Sequence, residues 1–120
     1  MTWVIDGANV VGAKPDGWWK DRRAAAERLR DHLARHRPAF GARLVLVLEG
    51  AARGVASTPE VEVVDAPDEG DDAIVLEVLA AAPPVTVVTA DRGLAERVRA
   101  HGAEVVGPGQ VWRLRTPATG

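Results

Sequence analysis

A chain of 120 residues has room for one ordinary hydrophobic core and not for two. It carries 15 Lys plus Arg against 17 Asp plus Glu, a formal net charge of -2, which excludes the strongly basic balance of a protein that coats nucleic acid by charge alone. Cysteine is absent, which excludes disulfides, thiolate nucleophiles and cysteine-based zinc sites and suits a reducing compartment.

The apolar run Trp3 to Ile5 predicts a short buried strand ending at Asp6, with Gly7, Ala8 and Asn9 directly after it. From Trp18 to His36, Ala25, Ala26, Leu29 and Leu33 recur at helical spacing among charged residues. This predicts an amphipathic helix with a basic outer face, started by Asp16-Gly17 and closed by Pro38. Leu44 to Leu48 is apolar throughout, as in a parallel strand buried on both faces, and Glu49-Gly50 and a loop of small residues follow. Val61 to Val64 predicts a third strand and Asp65 to Asp72 an acidic connection. Ile74, Val75, Val78, Leu79 and Ala82 outline a second helix that Pro83-Pro84 stops. Val85 to Thr89 predicts a fourth strand, Gly93 to Ala100 a third helix, and Glu104 to Val106 a fifth strand. Gln110 to Arg115 is expected as an edge strand or a tail packed on the surface.

This alternation predicts an α/β fold, a three-layer sandwich around a mostly parallel, twisted sheet, with residues 1–115 as a single domain and 116–120 as a flexible tail. Asp6 interrupts the place a signal peptide would need, and the apolar stretch 73–90 is cut by Glu77 and the two prolines. A soluble cytoplasmic chain without membrane contacts is therefore expected.

In open parallel sheets, ligands bind at the carboxyl ends of the strands, where the strand order switches direction. Asp6, Glu49 and Asp91 each follow a strand, and Asp71 and Asp72 open a helix that starts on the same edge. Singly, each has a structural explanation, as a turn, a helix cap or a solvated loop acid. Together they repel one another unless a cation is present. An oxygen-only donor set without cysteine suits Mg²⁺ or Mn²⁺, ions widely used in phosphodiester chemistry.

The segments "VIDGANVVG", "EGDDAI" and "VVTADRGLAERVRAHGAEV", in this order and spacing, resemble the NYN domain of the PIN-like nuclease superfamily, in its compact bacterial YacP-like branch. The resemblance spans Trp3 to Val106. It implies a strand order near 3-2-1-4-5, with Asp6 and Asp91 neighbours across the switch point, and a metal-dependent ribonuclease activity. Carried over, Asp6, Asp71 and Asp91 correspond to the metal-binding acids, Asn9 to an adjoining polar residue and Asp72 to the second acid of the Asp-Asp pair. Where the family often has Phe-Asp, this chain has Leu48-Glu49, so the Glu49 carboxylate sits on a longer arm.

An RNA substrate calls for positive surface, with Lys14, Arg23, Arg53 and Arg92 the expected contacts and Lys20 and Arg22 nearby. Of Trp18 and Trp19, one is expected in the core and the other partly exposed. Trp3 and Trp112 are read as structural, and His32 and His36 as residues of the helix surface or its end. Three other readings stay open. They are a non-catalytic RNA-binding or interaction module, a Toprim-like phosphotransfer site for which "VLEG" fits but "TADRG" supplies one Asp, and a small-nucleotide phosphohydrolase. A domain this small is expected to act as a monomer or homodimer and to take its specificity from RNA structure, a delivering protein or a ribonucleoprotein.

Overall fold

Five short apolar runs form five parallel strands: β1 (Thr2–Asp6), β2 (Arg43–Leu48), β3 (Val61–Asp65), β4 (Val85–Val88) and β5 (Glu104–Val106). The structure, a computed structural model, describes residues 1–115, and the tail expected at 116–120 lies outside the described residues. Strand order is β3-β2-β1-β4-β5, so the chain builds outward from β1 in one direction, then returns and builds in the other. Asp6 lies opposite Val47 of β2, and Ile5 lies opposite Val88 of β4.

The central strands are largely apolar and buried because helices cover both faces. On one face Ile5, Leu44, Leu46, Leu48 and Val88 pack with Val10, Leu29 and Leu33. On the other, Val4, Val45, Val47 and Val87 pack with Ile74, Val78, Leu94 and Val98. Successive strand residues thus feed opposite cores, as a period of two requires. Helices α1 (Gly7–Gly12) and α2 (Arg22–Arg35) cover the first face, and α4 (Gly70–Ala80) and α5 (Arg92–Arg99) the second. The result is the expected three-layer α/β sandwich.

Several elements go beyond or against what was expected. Gly7–Gly12 is a helix, though its two glycines, two valines and an asparagine are poor helix formers. The Asp6 cap and the burial of Val10 and Val11 outweigh that propensity. Trp18–Lys20 is a separate 3₁₀ turn, and α2 starts only after Asp21, whose side chain accepts from Ala24 N at 3.0 Å. Pro38 does not close the chain into a loop: it sits in the first turn of a second short helix, α3 (Arg37–Phe40), which ends at Gly41 in the left-handed region. The C-terminal segment is neither strand nor tail, since Gly109–Trp112 forms a short helix, α6. Trp112 Nε1 anchors it by donating to Val10 O at 2.7 Å.

His36, expected at the helix surface or its end, stands at the C-terminal end of α2, where it is buried and its Nδ1 donates to His32 O at 2.9 Å. His32 Nε2 lies 2.7 Å from Val111 O, and its ring packs against Trp112. His32 therefore joins α2 to the C-terminal helix. Leu79, counted above with the core stripe of α4, is exposed. No helix among the described residues is long and apolar enough to cross a membrane.

Candidate functional site

The parallel register places the ends of β1 and β4 side by side at the switch point, and the acids follow from that placement. Asp6 ends β1 and caps α1: its Oδ1 accepts from Asn9 N at 3.3 Å. Its Oδ2 accepts from Thr89 Oγ1 at 2.7 Å, across the gap between the strands. Only 7% of Asp6 is exposed. Burial lifts its carboxyl above the usual carboxylate range; the Thr89 and Asn9 bonds oppose that shift, and the charges of Asp71 and Glu49 add to it.

Thr89 has a second partner, because its Oγ1 accepts from Asp91 N at 3.1 Å. Asp91 caps α5, its Oδ1 accepting from Leu94 N at 3.0 Å. Asn9 closes the same corner, with its side-chain oxygen accepting from Ala90 N at 2.7 Å. The turn after β4 is thus bonded to the turn after β1 through two side chains, Thr89 and Asn9. Thr89 is the site residue that sequence reasoning passed over. Its only signal was its place in the Thr-x-Asp-Arg string.

Glu49 leaves the end of β2 and reaches the start of α4, where Gly70 N donates to its Oε2 at 2.5 Å. Its extra methylene lets it cap a helix from another segment, while Glu69 at the N-cap position makes no capping bond. Asp71, one residue into the same helix, is partly exposed, and its carboxyl is raised by burial first, then by the charges of Asp91 and Glu49. The charges of Asp71 and Glu49 thus bear on Asp6, and those of Asp91 and Glu49 on Asp71, across four separate segments. Asp72 points elsewhere: it is exposed and takes Arg97 Nη2 at 2.9 Å. Among the described residues no three acids or histidines stand close enough to enclose an ion by themselves.

The expected substrate contacts have mixed surroundings. Arg23 Nε donates to Arg53 O at 3.1 Å, and Arg53 Nε donates to Gly50 O at 3.2 Å, so both guanidinium groups hold the loop after β2. Arg30 does the same through Ala56 O. Lys14 lies over the Trp112 ring, 4.6 Å from its centroid. Arg92, the first residue of α5, is exposed beside Asp91. Trp18 packs against the core and Trp19 is 58% exposed, dividing the pair as expected.

A search of family models finds no match, and no curated protein matches the chain. Solved structures do. Two crystal structures of Rae1 (YacP) from Bacillus subtilis, one of a point mutant, superpose on it with TM-scores of 0.77 and 0.78. They cover 94% and 93% of this chain and 72% of that chain, at 23% and 22% identity. What is shared is the fold. The α/β fold of this chain, with its sheet in the order 3-2-1-4-5, matches the fold of Rae1.

Proposed function

We propose that the chain is a divalent-metal-dependent ribonuclease of the PIN-like, NYN type. One observation carries the reading: Asp6, buried at the switch point and joined through Thr89 to Asp91, lies within electrostatic reach of Asp71 and Glu49. Proteins rarely bury a carboxylate among like charges without a function for it. The likeness of fold to Rae1 and the Asp-Gly-x-Asn and Thr-x-Asp-Arg strings support the same reading, and RNA as substrate follows from that resemblance.

The donor set suits Mg²⁺ or Mn²⁺ held by one or two carboxylates with most of its waters retained, which needs no enclosing cage. Asp6 and Asp71 would hold the ion, with Asp91 and Glu49 at its margin; when bound, it supplies charge stabilisation at the phosphate and a more acidic water. The chain's own contribution is orientation. Thr89 and the Asn9 amide fix the rotamer of Asp6, and the Asn9 side chain holds the Ala90 turn so that Asp91 stays at the rim. Asn9 is in this reading a positioning residue. Arg92 would meet substrate phosphate.

The test is cleavage of end-labelled RNA by purified protein with Mn²⁺, with Mg²⁺ and with EDTA, beside the Asp6→Asn and Asp71→Asn variants. Metal-dependent cleavage lost in both variants is the expected result; undiminished cleavage by Asp6→Asn refutes the assignment. A second reading, a non-catalytic RNA-binding module, has its own observation: Asp6, Asp91 and Glu49 each satisfy backbone N–H groups of a helix start. RNA binding with no cleavage under any metal would decide for it.

A further inference from the structure

Beside the acidic rim opens a cleft of about 320 Å³, at the low end of the range for ligand sites and therefore sized for one small planar group. Its walls are apolar, built from Ala8, Val11, Ala52 and the Trp18 ring, with the Arg22 guanidinium 5.5 Å from the centre of that ring. Its rim carries Asp68 and Glu69, both exposed and neither engaged in a hydrogen bond or ion pair among the described residues. Glu49, one of the acids of the candidate site, also lines the cleft.

We infer that this cleft receives one unpaired nucleobase of the RNA strand, guanine by preference; the identity of the strand rests on the ribonuclease reading. Unstacked bases are held on aromatic and arginine planes and read along their Watson–Crick edges. Trp18 and Arg22 supply the plane. The rim offers carboxylate oxygens, which only accept, so the base must donate. Guanine alone presents two adjacent donors, its ring N–H and its amino group, that match the two oxygens of one carboxylate. Uracil has a single N–H between two carbonyls, which the same rim repels. Arg22 stays available to the phosphate of the same nucleotide, which keeps the polyanion from facing the acids unscreened.

Titration of the purified protein with GMP, AMP, CMP and UMP, followed by tryptophan fluorescence, tests this directly. GMP is expected to quench and saturate, with UMP at least about tenfold weaker. Trp18→Phe should keep the binding, measured by equilibrium dialysis, and lose the quench. Ala52→Leu, which fills the cleft, should abolish binding of all four nucleotides. The exposed pair Asp68→Asn with Glu69→Gln cannot disturb the core and should reduce the preference for GMP over UMP to less than about threefold. Equal affinity for the four nucleotides, absence of binding, or an unchanged preference in the double variant overturns the proposal. GMP-selective binding by a protein that cleaves no RNA leaves the cleft standing and removes the nuclease; metal-dependent cleavage without base selectivity does the reverse.

Discussion

Thr89 Oγ1 lies 2.7 Å from Asp6 Oδ2 and 3.1 Å from Asp91 N, so one hydroxyl donates to the acid ending β1 and accepts from the backbone of the acid capping α5. Both of its bonding directions are used. Replacing Thr89 by Val keeps the shape and removes both bonds, leaving a buried carboxylate short of a donor. We expect Thr89→Val to lose about 1–3 kcal/mol of stability and most metal-dependent cleavage, while Thr89→Ser retains both. Urea unfolding and the RNA cleavage assay on the three proteins check this.

Asp6→Asn should abolish cleavage and raise the melting temperature at pH 7. The folded-state pKa of Asp6 lies above its unfolded value, so folding takes up a proton between those two values. Its contribution to stability is full below that window and is lost as pH rises through it, because ionising the buried Asp6 weakens the fold. The neutral amide of the variant carries no such charge. Melting curves from pH 3 to pH 8 should therefore show the variant's advantage growing with pH, and added Mn²⁺ should stabilise the native protein and not the variant.

Glu49→Ala removes the acceptor of the Gly70 N–H and should cost about 1 kcal/mol, the usual loss for a missing helix cap. The damage should be local. Hydrogen exchange of the amides at 70–73 should accelerate while the sheet stays protected, and cleavage should fall because Asp71 rides on that first turn. Glu49→Gln keeps an acceptor and should preserve the protection.

Arg23 and Arg92 separate two kinds of cation. Arg23→Ala frees the loop after β2 and should expose it to limited proteolysis near Arg53 and Gly54, with a modest drop in stability. Arg92→Ala touches no such contact and should leave stability within about 0.5 kcal/mol. It should instead weaken RNA binding and lower its salt dependence.

Gly7→Ala probes the packing beneath the site. A Cβ at Gly7 would lie 2.5 Å from Val47 O and 2.7 Å from Leu48 Cδ2, so α1 could no longer approach β2. A loss of about 1–3 kcal/mol or more is expected in thermal unfolding.

The sheet was legible because its central strands are apolar runs separated by turn residues, and the rim acids because Asp6, Glu49 and Asp91 follow such runs and Asp71 opens a helix on the same edge. Helix α1 was not, since neither propensity nor length announces Gly7–Gly12; only the Asp6 cap and the core above β1 create it. The start of α2 was misplaced because Trp18 and Trp19 look continuous with the helical stripe, and the capping role of Asp21 shows only in three dimensions. The contact of His32 with α6 stayed hidden because no linear pattern reveals that the C-terminal helix returns to α2. Thr89 and the reach of Glu49 to Gly70 depend on pairings between distant segments, which one sequence does not display.

Three of the rim acids also do ordinary structural work, Asp6 and Asp91 as caps of their own helices and Glu49 as the acceptor for α4. Asp71 accepts no hydrogen bond among the described residues, and its raised carboxyl shows that its surroundings disfavour its charge. A relative without the proposed chemistry would thus be free to drift at Asp71 first, while folding alone kept the other three in place. Among related sequences, a change at this position would be the earliest genetic trace of a silent copy.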